Sequence, residues 1–244
     1  MRRFLILQLR PEADASDAEY KAFLEKSGLD ASRAHRIRLE REALPRGLEP
    51  ADYAGVIVGG GPGCVSDAPG EKTAEHARIE AAVMSLMPRI TQRDLPFLGC
   101  CYGIGILGRH LNAAVGKGLY AEPVSVADCT LTEAGRSDPL LAGLPSRFDA
   151  FVGHKEALEE LPPGCAHLVA APGCPFQMVR HGRNVYATQF HPEADADVFE
   201  ERIRIYRHHG YFPPDTASDL IEMCRAADVH APELILRNFV ERYG

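Results

Sequence analysis

The segment Pro96-Phe-Leu-Gly-Cys-Cys-Tyr-Gly103 decides the fold. The apolar run Leu95–Cys100 reads as a short buried strand, and Tyr102–Asn112 reads as a helix. Between them Gly99, Cys101 and Gly103 form G-x-C-x-G, the thiol version of a nucleophile elbow. Such a turn strains the backbone of its central residue. Neighbours at −2 and +2 without Cβ atoms let strand and helix approach. The sulfur then stands at the carboxyl edge of a sheet, where the helix N-terminus is expected to lower its pKa toward the thiolate. Cys100 is expected to face the core, because adjacent strand residues point to opposite sides. The alternative reading is a buried structural cysteine beside two incidental glycines.

The same strand–helix alternation continues on both sides. Arg3–Leu9 reads as a buried strand, and Ser16–Ser27 as a helix carrying Tyr20, Phe23 and Leu24, stopped by Gly28. Tyr53–Gly59 is a β-branched run, and Glu71–Gln92 a helix with Ile79, Val83, Leu86 and Met87 on one face. This order implies parallel strands with helices on both faces. Residues 121–178 differ, with short runs such as EPVSVADCTL, FDAFVG, HLVAA and FQMVRHG broken by Pro and Gly. They read as antiparallel or edge strands. Asn184–Phe190 is a last core strand. From Asp195 the pattern turns helical, with a break at Tyr211-Phe-Pro-Pro214. No linker marks a boundary, so residues 1–244 are expected to form one domain. The catalytic centre is expected at the carboxyl ends of the strands.

The composition narrows the function. In 244 residues there are 27 Lys+Arg and 34 Asp+Glu, a net charge of −7. That argues against nucleic-acid and anionic-membrane partners, which need a positive footprint. No apolar run reaches the roughly 18–20 residues of a membrane span. The opening MRRFLILQLRPEAD is too short in its apolar part for a signal peptide and is read as a first strand. Seven cysteines at irregular spacing point to a cytoplasmic protein without disulfides. No C-x-x-C or H-x-x-x-H pair occurs, and His208 and His209 are adjacent, so no metal and no cofactor is expected. Cys64, Cys129, Cys165, Cys174 and Cys224 read as packing residues. Tyr206, Tyr211 and Phe212 read as core rather than ligand contacts.

Two further segments supply what a thiol nucleophile lacks. In Gln189-Phe-His-Pro-Glu193, His191 is a candidate base and Glu193 a carboxylate able to fix its tautomer. The order Cys, His, Glu differs from the nucleophile, acid, His order of an α/β-hydrolase. In Val58-Gly-Gly-Gly-Pro-Gly63, backbone N–H groups can point at an anion. The Gly61 and Tyr102 N–H groups suit the oxyanion of a tetrahedral intermediate on Cys101. A phosphate loop or a plain turn is the competing reading, though neither a Walker loop nor a G-x-G-x-x-G fingerprint is present.

Together these segments resemble class I glutamine amidotransferases, the Cys-His-Glu group found in GMP synthetase and carbamoyl-phosphate synthetase. The matching residues are Gly60-Gly61-Pro62, Gly99–Gly103, and YATQFHPE at 186–193 with its His191-Pro192-Glu193. A smaller match is Val152-Gly-His-Lys-Glu156. The resemblance covers about residues 50–195, leaving 196–244 as a helical tail. It implies a three-layer, flavodoxin-like α/β fold with a mostly parallel central sheet, a short antiparallel extension and a helical C-terminal segment. It also implies catalysis by Cys101, His191 and Glu193, an oxyanion hole from Gly61 and Tyr102, and substrate contacts from Gly60, Gly105, Gly153, His154 and Lys155. One departure stands out: the family usually has C-x-G-x-Q, and here the last position is Gly105. His154, Lys155 or Glu156 is then left to hold the substrate's amino-acid end. The chain has no room for a synthetase domain, so any ammonia acceptor is expected on a separate chain. The expected function is hydrolysis of the glutamine side-chain amide through a γ-glutamyl thioester. The alternatives are a γ-glutamyl peptide or other amide hydrolase with the same triad, and a non-catalytic binding or regulatory module of the same fold.

Overall fold

The computed structural model of the chain describes residues 2–209 and 212–244. In chain order it places β1 (Phe4–Gln8), α1 (Ala13–Ser27), β2 (Ala34–Arg38), β3 (Val56–Val58), α2 (Ala74–Gln92), β4 (Phe97–Cys100) and α3 (Tyr102–His110). There follow β5 (Val115–Gly116), β6 (Glu122–Leu131), α4 (Glu133–Arg136), β7 (Arg147–His154) and β8 (Ala157–Leu158). The chain continues with β9 (Cys165–Ala170), β10 (Met178–His181), β11 (Val185–Thr188), α5 (Ala196–Tyr206), α6 (Ala217–Ala226) and α7 (Glu233–Tyr243).

Nine strands join in the order β2-β1-β3-β4-β11-β10-β9-β6-β7. Pairing is parallel from β2 to β11 and antiparallel from β11 to β7. Both faces of β1, β3, β4 and β11 are buried, as a helix-covered sheet requires. Alternate residues serve the two faces. Phe4, Ile6, Leu98 and Tyr186 pack with Phe23 of α1 and with Ile235 and Phe239 of α7. Leu5, Leu7, Val58 and Phe97 pack with Val83 and Met87 of α2 and with Ile104 and Leu107 of α3. The result is a three-layer α/β fold with a parallel core. A third cluster, including Phe151, Phe199 and Ile203, sets α5 and α6 over the antiparallel end.

The structure departs from the sequence expectation in three places. β2 has no counterpart in that expectation, because only Ile37 of its five residues is buried and its polar side carries Arg36 and Arg38. Its status comes from in-register pairing with β1. The antiparallel extension comprises four strands rather than a short appendage. Helix α2 begins at Ala74 rather than Glu71, because the Thr73 hydroxyl accepts the His76 N–H at 3.1 Å and caps it there.

Parallel pairing puts the carboxyl ends of β1, β3, β4 and β11 at one edge. Arg10, the glycine loop, Cys101 and His191 follow those strands. The functional segments therefore converge without any long loop.

Candidate active site

Cys101 sits where β4 ends. Its N–H donates to the Thr188 carbonyl at the end of β11 at 2.8 Å. Its φ of 52° and ψ of −92° hold a non-glycine residue in strained backbone, as an elbow requires. Gly99 allows the turn: a Cβ there would stand 2.9 Å from the Gly103 Cα. A Cβ on Gly103 would meet nothing outside its own helix nearer than 3.8 Å. Only the first of the two glycines is thus sterically compulsory. Cys100 is fully buried in the core beside Tyr186 and Phe190, as its strand position implies.

His191 follows β11 and its N–H donates to the Phe151 carbonyl at 3.1 Å. Its Nδ1 donates to Glu193 Oε1 at 2.9 Å, which leaves Nε2 as the basic nitrogen. Glu193 is fully buried and also accepts from Arg202 Nη2 at 2.8 Å. That guanidinium lies 3.7 Å from Glu19 Oε1. Glu19, fully buried on α1, accepts from Arg10 Nε at 2.8 Å, from Gln8 Nε2 at 3.2 Å and from the Gly60 N–H at 3.2 Å. Alternating buried charges therefore run from the imidazole to the glycine loop. Pairing is what makes such charges tolerable.

These surroundings set the protonation states. Burial pushes the Cys101 thiol up to about 12, against the pull of Arg10 and Arg202. The expected depression toward thiolate is thus overturned, because desolvation outweighs nearby positive charge. Burial also lowers His191 below the ordinary histidine value, although Glu193 opposes this. Burial alone would raise Glu193, but His191 and Arg202 prevail and hold it well below the usual carboxylate range. The resting pair is a neutral thiol and a neutral imidazole.

Two cavities meet at Cys101, and Gly61 and Gly153 border both. The first is lined by Tyr102, Gly105, His154, Lys155, Glu156 and Gln189 among others. The second includes Arg10, Val124, His191, Phe199, Arg202 and Ile203. Neither the Gly61 nor the Tyr102 N–H donates to another described residue, so both remain available to an oxyanion between the cavities. Gly60 lines neither cavity. A Cβ there would stand 2.7 Å from Arg10 Nη2 and 2.8 Å from His191 Cε1. Its role in this geometry is to let the loop approach the base.

The first cavity accounts for the departure at Gly105. A Cβ on Gly105 would lie 2.8 Å from Glu156 Oε1, so Glu156 occupies the space a longer side chain would need. That carboxylate accepts the Val65 N–H at 2.8 Å and the Ser66 N–H at 2.9 Å, which ties the glycine loop down. The His154 ring is likewise engaged, with Nδ1 at 3.0 Å from the Glu156 carbonyl and Nε2 at 3.0 Å from Glu122 Oε2. An amide is nevertheless present: Gln189 lines this cavity, and its buried Oε1 has no partner among the described residues.

Glu122, His154 and Cys174 offer ligand atoms within 4.8 Å of one another. Glu122 Oε2 is already engaged by His154 and by Gln177 Nε2 at 2.9 Å, and burial raises the Cys174 thiol to about 12. The carboxylate and the imidazole of this trio are thus held by hydrogen bonds.

Sequence reasoning missed Arg10, Glu19 and Arg202, although a signal existed. Arg202 interrupts the apolar stripe Phe199, Ile203, Tyr206 on one helix face, and Arg10 follows a fully buried strand. A cation in either place needs a buried partner. Tyr206 and Phe212, read as core residues, line the second cavity, and the Tyr206 hydroxyl donates to Glu12 at 2.8 Å. Tyr211 lies outside the described residues.

Comparison with known proteins places the chain in a family. Residues 32–205 match the family model described as glutamine amidotransferase class-I. A GMP synthase (glutamine-hydrolyzing) from Aeropyrum pernix is 36% identical over 188 residues, covering 74% of this chain and 32% of the relative. The chain thus spans about a third of that protein. One subunit of the glutamine-hydrolyzing GMP synthase from Natronomonas pharaonis is 29% identical over 158 residues, 62% of this chain and 75% of the relative. Among solved structures, a glutamine amidotransferase from Thermotoga maritima superimposes with a TM-score of 0.77 at 18% identity, covering 100% of this chain and 98% of the other. One from Methylobacillus flagellatus gives 0.75 at 18% identity, covering 100% and 96%. No described helix is long and apolar enough to cross a membrane. The sequence matches carry the family, the structural ones its flavodoxin-like fold, and the chain belongs to the class-I glutamine amidotransferases.

Proposed function

We propose that this chain is one catalytic domain that hydrolyses the side-chain amide of glutamine through a γ-glutamyl thioester on Cys101. The observation that carries the proposal is the strained Cys101 turn opening onto the cavity that holds His191, itself fixed by Glu193 and Arg202. His191 Nε2 takes the thiol proton as Sγ attacks the amide carbon. The oxyanion lies between the Gly61 and Tyr102 N–H groups. The imidazolium returns the proton to the leaving nitrogen, the C–N bond breaks, and water then cleaves the thioester. One oxyanion donor contributes roughly 3–4 kcal/mol to such a step. The acyl chain lies in the first cavity, between Gly153 and Gly105. Gln189 Oε1 accepts from the α-ammonium, and Lys155 stands near the α-carboxylate.

A separate chain that accepts ammonia belongs to this reading; its support is that the Natronomonas relative carries the name of a synthase subunit. A cytoplasmic setting belongs to it as well, supported by seven free cysteines. The test is treatment with a γ-glutamyl diazoketone followed by peptide mapping, alongside ammonia release from L-glutamine. Label on Cys101 alone, with loss of ammonia release, is expected. Turnover that persists with Cys101 fully labelled rejects Cys101 as the nucleophile, and no turnover of glutamine or of any γ-glutamyl compound favours the binding-module alternative.

The protonation states give a second expectation. His191 loses its proton below the ordinary histidine pKa of about 6.5, so the base form persists into more acid solution. The acid limb of kcat/KM therefore falls below pH 6.5, and the rate stays level through neutral pH because the thiol titrates only near 12. A limb at or above about 6.5 contradicts the neutral pair.

A further inference from the structure

The geometry at Cys101 fixes the direction in which a leaving group must depart. A tetrahedral carbon on Sγ carries an oxyanion, an acyl chain and the leaving nitrogen. The oxyanion belongs at Gly61 and Tyr102, and the nitrogen must face His191 to receive its proton. Of the two cavities His191 borders only the second, so the acyl chain takes the first and the leaving group enters the second.

That second cavity exceeds what an ammonia molecule needs. Its cavity volume is about 50 Å³, several times the roughly 10–15 Å³ that one water-sized molecule needs. Its apolar walls are Val124, Phe199, Ile203 and Phe212, and most of them come from the segment beyond the motif-bearing core. A buried cation, Arg202, also lines it. Arg202 is 5% exposed, and its Nε and Nη1 are buried without a partner among the described residues, although Nη2 is spent on Glu193. Buried guanidinium donors left unpaired are costly. An anionic group entering beside them would remove that cost.

We propose that the second cavity is a leaving-group subsite for an apolar α-amino acid, so that the preferred substrates are γ-glutamyl derivatives of such amino acids. This rests on the Cys101 thioester chemistry proposed above and names the amine it releases. The α-carboxylate of the leaving residue lies against Arg202, and its side chain against Phe199 and Ile203. The reaction balances simply. The γ-glutamyl C–N bond breaks as the S–C bond forms, and the His191 proton goes to the departing amino group. Water then converts the thioester to glutamate and regenerates the thiol.

The test compares kcat/KM for L-glutamine, γ-glutamyl-leucine and γ-glutamyl-isoamylamide, which lacks only the carboxylate, in the wild type and in Val124→Phe and Cys101→Ala. The wild type is expected to favour γ-glutamyl-leucine at least about tenfold over each of the other two, the scale of one charge-assisted hydrogen bond. Val124→Phe, which narrows the cavity, is expected to cut that preference over glutamine severalfold. Cys101-dependent turnover with no preference for γ-glutamyl-leucine over glutamine overturns the subsite and leaves the proposed function standing. Equal rates for the leucine and isoamyl compounds overturn the assignment to Arg202. Absence of Cys101-dependent turnover with all three overturns the proposed function itself, and the subsite with it.

Discussion

Cys101→Ala is expected to lower turnover of L-glutamine by roughly 10⁴-fold or more, with the fold retained. Loss of a covalent nucleophile leaves only binding and oxyanion stabilisation, and these cannot replace the thioester path. The fold tolerates the change because the side chain borders two cavities, while the turn geometry is held by Gly99 and by the Cys101 N–H bond to Thr188. Cys100→Ala is the matched control. It removes a buried core sulfur next door, lowers stability by about 1 kcal/mol and keeps turnover. Ammonia release and thermal denaturation on both variants separate the two sulfurs. A rate for Cys101→Ala within tenfold of the wild type ends its assignment as nucleophile.

Arg202→Met is expected to destabilise the protein by about 3–5 kcal/mol, the cost of breaking a buried ion pair from one side. The guanidinium is the cation for fully buried Glu193 and lies near fully buried Glu19. Methionine fills the space and supplies no charge. For a chain of this size the loss corresponds to a Tm fall of roughly 6–20 °C. The pH dependence has a definite sign. Glu193 is held below its ordinary pKa in the fold, so its ionised form adds stability above that ordinary value, and this stability is lost as pH falls. Without Arg202 the depression shrinks and less of that stability remains at neutral pH. Denaturation scans at pH 7 and pH 4 measure both parts. A Tm within about 2 °C of the wild type at pH 7 rejects this account of the network.

The parallel core is legible in the sequence because its strands are apolar on both faces and end in glycines or chemistry-bearing residues, as at Val56–Val58 before Gly59 and Phe97–Cys100 before Cys101. The elbow, the glycine loop and the His-Pro-Glu turn are legible because each has a short fixed spacing. Pairing at a distance is not. Arg10 and Glu19 are nine residues apart, yet Arg202 joins them only through folding. The thiol's protonation departs from expectation for a related reason. The helix N-terminus is visible in sequence, whereas the depth of burial that outweighs it arises only when the chain is folded. β2 escapes notice because an edge strand with one buried residue in five has no apolar signature.

The arrangement of Arg202 also bears on when the molecule becomes competent. Cys101, His191 and Glu193 precede α5 in the chain, whereas the cation that Glu193 needs lies on α5. Until α5 docks against α1, the carboxylate that steers the imidazole has no counter-ion and the second cavity has no far wall. Packing of α5 on α1 thus sets Arg202 between Glu193 and Glu19 and walls the second cavity in one step.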